Sequence, residues 1–182
     1  MRYSKIDGIV LKRRSIGEAD RLLTIFTRQH GKIQVKAAGV RKISSKRASH
    51  IEPLNRISCT VYKGQGTPVL TEATSTESFS ALKENLTHVG FAYHVCELVD
   101  SLCPENQENS YVFDLLETLL KNMCEEENAG RLIHAFEVEL LKALGYYSEG
   151  SVDLTGAKAS YFIESILERK LKTRQILPQL NS

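Results

Sequence analysis

The spacing of apolar residues changes near residue 80, and that change limits what the chain can fold into. Before it, apolar residues recur with the period of two that sets the faces of a β-strand. Ile6, Gly8 and Val10 alternate with Asp7, Ile9 and Leu11, and Leu23, Ile25 and Thr27 alternate with Leu22, Thr24 and Phe26. His30-Gly31-Lys32 reads as a tight turn into a third strand carrying Ile33, Val35 and Ala37. Ile57, Cys59 and Val61 mark a fourth, and Gly64-Gln65-Gly66 turns the chain into a fifth over Val69 to Thr74.

After residue 80 the period becomes helical. One stripe runs through Leu82, Leu86, Val89, Tyr93, Cys96 and Val99 to a stop at Cys103-Pro104. A second holds Val112, Leu115, Leu116, Leu119 and Met123, and a third Leu132, Ile133, Phe136, Leu140 and Leu144, with Gly145 as C-terminal cap. A fourth is expected from about Ala157 to Lys172. The expected fold class is α+β and multidomain: an N-terminal five-stranded OB-fold β-barrel over residues 1–80, then a small all-α helical domain over 81–182.

Charge divides at the same place. The whole chain carries a net charge of +2. Residues 1–80 hold 15 Lys+Arg against 6 Asp+Glu, whereas residues 81–182 hold 9 against 16. Such asymmetry points to a polyanion partner for the first half. Four cations, Arg41, Lys42, Lys46 and Arg47, fall within seven residues, and no acidic residue occurs between Asp20 and Glu52. They lie in the long connection after the third strand, which Gly39 and the serines are expected to keep open. Mobile cations there displace the counterions condensed on nucleic-acid phosphates. Lys12, Arg13, Arg14, Arg21, Lys32 and Lys36, on or beside strands, are candidates to extend the track. Tyr3, Phe26 and Tyr62 are possible stacking aromatics, with a place in the core or at the barrel edge as the simpler reading.

Other features exclude function classes. The N-terminus alternates apolar and charged residues, unlike a signal peptide, so cytoplasmic, nucleoid-associated residence is expected. Cys59, Cys96, Cys103 and Cys124 include no C-x-x-C pair, so reduced, mostly buried thiols are expected, with no metal and no cofactor. Glu18, Asp20 and His30 stand in turns and at a strand start, and His94, Glu97 and Asp100 share one helix side. Neither set forms a recognisable acid–base constellation, and no Gly-x-x-x-x-Gly-Lys-Ser/Thr loop is present. The chain is not expected to be an enzyme.

Several motifs occur together: Gly8-Ile9-Val10-Leu11-Lys12, Gly17-Glu18-Ala19-Asp20-Arg21, Leu23-Thr24-Ile25-Phe26-Thr27, Gly31-Lys32, Ala38-Gly39-Val40-Arg41 and Glu52-Pro53-Leu54. In this order they closely resemble the bacterial DNA repair protein family RecO. The likeness resumes at Ala135-Phe136-Glu137, Leu140-Leu141 and Leu144-Gly145-Tyr146, and again at Leu171-Lys172-Thr173-Arg174. The resemblance implies an OB-fold followed by helices, binding of single- and double-stranded DNA, and annealing of complementary strands without nucleotide hydrolysis. It also implies work with RecR, and with RecF, RecA and single-stranded DNA-binding protein. Two departures stand out. Many relatives carry a four-cysteine zinc module after the Leu-Gly-Tyr segment, whereas Tyr147 to Ser160 holds no cysteine. The chain is thus expected to be a short form with a compact, metal-free helical domain. Ile133-His134 stands where relatives often have arginines. Two alternatives remain from the residues alone: an RNA-binding OB-fold protein, and a protein-recruiting scaffold that uses the acidic helical half.

Overall fold

The computed structural model describes residues 2–125, 128–148, 150, 153–155 and 157–180. The chain forms two compact units: Met1–Ser78 with Pro104–Ser110, and Phe79–Cys103 with Tyr111–Ser182. A single cut at residue 80 would leave Pro104–Ser110 with the helices. The structure assigns that segment to the barrel.

The first unit contains β1 (Tyr3–Ile16), β2 (Asp20–Thr27), β3 (Gly31–Ala37), β4 (Arg56–Tyr62) and β5 (Val69–Glu77). They close a barrel in the order β1-β2-β3-β5-β4, with β3 and β5 parallel and the other neighbouring pairs antiparallel. This is the OB-fold topology. β1 outruns the expected Ile6–Leu11 because Lys12–Ile16 continue in a hairpin with Asp20–Thr24. Its first half pairs with β4 and its second with β2, and the register slips between Val10 and Lys12. Such a bulge bends a strand around a barrel. Gly8 lies in both ladders, where a Cβ would come within 2.6 Å of the Ile25 side chain and 2.7 Å of the Phe26 carbonyl oxygen. Inside, Val10, Leu23, Ile25, Val35, Ile57, Val61 and Leu70 are buried. Each contributes about 1.5–3 kcal/mol by leaving water.

β3 and β5 register only at Lys36 and Val69, so their pairing leaves the rest of the β3 edge open. Pro104–Ser110 lies along that edge. Glu105 bridges to Lys32, the Asn106 N–H donates to the Lys32 carbonyl at 2.8 Å, and the Gln34 amide donates to Glu105 at 2.5 Å. Gly31, at φ +63°, leaves the room this packing needs.

The second unit contains α1 (Ser80–Lys83), α2 (Leu86–Leu102), α3 (Ser110–Asn122), α4 (Ala129–Ala143), α5 (Lys158–Leu167) and α6 (Lys172–Leu180). The stripe expected from Leu82 to Val99 is broken. Asn85 caps α2, accepting from the Thr87 and His88 N–H groups, and the new helix turns Leu86 and Tyr93 outward. Cys96 and Val99 of the expected stripe stay buried, and Ala92, Val95 and Leu98 join them on its buried side. Gly145 ends α4 as expected: at φ +77° its N–H donates to the Lys142 carbonyl, and that of Tyr146 to Leu141. The expected fourth helix is two, parted at Glu168 (φ +52°). Its second piece is held by Glu97, whose carboxylate accepts from the Lys172 and Thr173 N–H groups at the start of α6. Burial works to raise the Glu97 carboxyl, but these donors, the Thr173 hydroxyl and Arg169 hold it below its ordinary value. His94 and Glu137, both buried, meet at 3.1 Å and extend to Thr173 and Ser160, which joins α2, α4, α5 and α6.

Cys59, Cys96 and Cys103 are buried. Burial pushes the Cys59 thiol up to about 11 and that of Cys96 to about 12. No helix among the described residues is long and apolar enough to cross a membrane.

The packing at Gly31 gives a direct test. In Gly31→Ala the Cβ would fall 1.8 Å from the Gln107 carbonyl oxygen, so urea denaturation should show a loss of about 2–3 kcal/mol. Gly17→Ala shares the positive φ but meets nothing within 4 Å, and should cost only about 1 kcal/mol.

Candidate nucleic-acid interface

The connection between β3 and β4, residues 38–55, contains turns and no helix. Sequence reasoning expects a mobile arm; the structure shows a loop fastened at both ends. Val40, Ile51 and Leu54 are buried, the first two within the barrel core. The Asp20 carboxylate accepts the Gly39 N–H at 2.8 Å, and the Arg41 N–H donates to the Ala19 carbonyl at 2.9 Å. At the far end, Asn55 donates its side-chain amide to the Ser49 and His50 carbonyls, and the His50 ring accepts the Ser75 N–H. The basic tip is thus carried on the β1–β2 turn and β5.

Within this frame the candidate cations separate into two kinds. Arg47 donates to the Leu70 and Ala38 carbonyls at 2.8 Å each and to Thr71 at 3.4 Å. Its guanidinium is spent on backbone oxygens rather than offered to a phosphate. Lys36 pairs with Asp20 at 2.9 Å, Arg13 pairs with Glu52, and Arg21 lies 3.9 Å from the same carboxylate. Lys32 is buried at 8 % exposure beneath the Pro104–Ser110 segment. The first four tie the loop and strand ends to carbonyls and carboxylates, and Lys32 is covered; charge counting in the sequence cannot distinguish such cations from ligand-binding ones.

The remaining cations face solvent. Arg41, Lys42 and Lys46 are exposed at the tip, as are Lys12 and Arg14 on β1. Arg14, Lys42 and Lys46 take part in no salt bridge among the described residues, and Arg41 makes only a 3.3 Å contact to the Gly17 carbonyl. Ile43 stands fully exposed between them. Electrostatics tie this group together. Burial lowers the Arg21 guanidinium, and the positive charges of Arg13 and Arg41 lower it further, while Glu52 opposes them. The Gly39 N–H and then Lys36 hold the Asp20 carboxyl below its ordinary 3.8. Its anchoring therefore operates above pH 3.8 and is lost as pH falls through the lower folded value.

Glu18 and His30 are exposed, and Asp20 is occupied by Gly39 and Lys36. Nothing brings the three to one reacting centre. Phe26 is buried at 0 % exposure, whereas Tyr3 and Tyr62 meet on the outer surface. A cleft of about 560 Å³ opens beside Gln34, Lys63, Thr67, Glu105 and Glu108. Its two carboxylates make it a poor seat for phosphate.

Residues 1–79 match the family described as Recombination protein O N terminal, and residues 83–154 match Recombination protein O C terminal. The chain belongs to the RecO family. Similar curated proteins, each named DNA repair protein RecO, include that of Pelotomaculum thermopropionicum, 35% identical over 146 residues. Those of Symbiobacterium thermophilum and a Roseiflexus species are 32% and 36% identical over 147 and 149 residues. Each alignment takes in 80% of this chain but 57%, 58% and 51% of the relative, so the chain spans little more than half their length. The family match ends at residue 154, and the Leu171–Arg174 resemblance lies beyond it.

Arg47→Ala should destabilise the barrel by about 1–3 kcal/mol in chemical denaturation, because the part-buried Leu70 and Ala38 carbonyls would lose their donor. Lys46→Ala, one residue away, should stay within about 0.5 kcal/mol of the parent.

Proposed function

We propose that the chain binds single- and double-stranded DNA through the tip of the β3–β4 connection and anneals complementary strands in recombinational repair. Arg41, Lys42 and Lys46 make the principal phosphate contacts, and Lys12 and Arg14 extend them along β1. The observation that carries this reading is the exposure of Arg41, Lys42 and Lys46 on an anchored loop of an OB barrel, while the neighbouring Arg47 and Lys36 are engaged by carbonyls and by Asp20. Because the tip is held, little order must be imposed on it when a strand arrives. Contacts to phosphate carry no base information, so binding is insensitive to sequence. Two strands that repel through their phosphates are brought together when one basic surface offsets both charges. No nucleotide hydrolysis enters, and the protein acts as a mediator rather than an enzyme.

Family membership supports a wider role: action in the cytoplasm with RecR, and with RecF and single-stranded DNA-binding protein, in loading the RecA recombinase. Strand annealing on naked and protein-coated DNA, with and without RecR, tests both levels. The parent protein should accelerate annealing, and Arg41→Ala/Lys42→Ala/Lys46→Ala should slow it at least tenfold while melting normally. Equal annealing by the two proteins would remove the tip from the mechanism. Stronger annealing of matched RNA than of DNA would point to the RNA-binding alternative.

A further inference from the structure

Tyr3 and Tyr62 occupy one registered position of the β1–β4 ladder and face outward. Their ring centroids lie 5.1 Å apart with planes tilted by 55°, and Tyr3 is 58 % exposed. The pair lies outside the barrel core, which is on the opposite face of both strands, so its rings pack on each other and present their outer faces to solvent.

Its surroundings are cationic. The Arg2 guanidinium donates to the Tyr62 hydroxyl at 3.4 Å, and the Lys63 N–H donates to the Arg2 carbonyl at 2.7 Å. Lys5 follows two residues after Tyr3 on the same face, and both it and Lys63 are exposed. Of the acids on these strands, Asp7 pairs with Arg56 at 2.9 Å and Glu72 accepts from the Thr60 hydroxyl, while Lys63 borders the cleft lined by Glu105 and Glu108. Tyr62 leads directly into the β4–β5 loop. There Gly64 sits so close that a Cβ would lie 3.1 Å from the ring, so its missing side chain leaves the ring its space. The β4–β5 loop is one that OB barrels use to hold oligonucleotides.

We propose that Tyr3 and Tyr62 form a base-stacking platform for single-stranded nucleic acid, with Arg2 and Lys5 taking the adjoining phosphates. The proposal rests on the reading of the protein as a DNA binder and adds a second, chemically different interaction. The β3–β4 tip engages phosphates of either single strands or duplex. The tyrosine platform needs unpaired bases, whose faces are buried in a duplex.

The test compares oligo(dT), an abasic oligonucleotide of equal length, and a duplex, using the full chain. The parent should bind oligo(dT) about tenfold more tightly than the abasic strand. Tyr3→Leu should abolish that preference without altering duplex affinity, and Tyr3→Phe should retain it. Photocross-linking of 5-iododeoxyuridine oligonucleotides to the unmodified protein should label Tyr3 or Tyr62. Equal binding of the oligo(dT) and abasic strands by the parent, or cross-links only elsewhere, would overturn the platform. Failure of the tip reading looks different: Arg41→Ala/Lys42→Ala/Lys46→Ala would keep full duplex affinity while the preference for bases persists.

Discussion

The arrangement at the basic surface depends on Arg47, whose guanidinium gathers carbonyl oxygens from Ala38, Leu70 and Thr71. A single planar fork of donors ties the start of the β3–β4 connection to β5. Asp20 does the matching work beside the β1–β2 turn, accepting from Gly39 and pairing with Lys36. With these two groups in place the chain from Val40 to Leu54 can bury apolar residues in the barrel and still project Arg41, Lys42 and Lys46. One cation out of four at the tip is thus given up to orient the other three.

Much of the fold was legible from period alone. Five strands and their order of appearance follow from the alternation of apolar residues, and the long third connection together with that count points to an OB barrel. The helices were less legible where a polar cap intervened. Asn85 interrupts an otherwise continuous stripe because its side chain caps a new helix there, and Glu168 divides the last helix by its left-handed backbone. The placement of Pro104–Ser110 on the barrel was invisible. It depends on the open β3 edge and on the close approach of Gln107 to Gly31, whose local signal marks only a turn.

The candidate site shows the same division. Clustering of basic residues singles out the β3–β4 connection, yet composition treats every Lys and Arg alike. The structure separates Arg47, Arg13, Arg21 and Lys36, which meet carbonyls or carboxylates, and the buried Lys32 from the exposed tip cations Arg41, Lys42 and Lys46. The signal that marks the first group lies in distant acceptors, such as Glu52 for Arg13 and Leu70 for Arg47. Tyr3 and Tyr62 are likewise far apart in the chain and become a pair only through β-sheet register.

The central claim is that the anchored tip supplies charge to phosphates, and the salt dependence of DNA affinity measures that charge directly. For a duplex, the slope of log affinity against log salt changes by about 0.9 for each phosphate neutralised. Replacing Arg41, Lys42 and Lys46 with alanine should therefore make the slope shallower by about 2–3, with the barrel intact by circular dichroism. An unchanged slope in that folded variant would contradict the account.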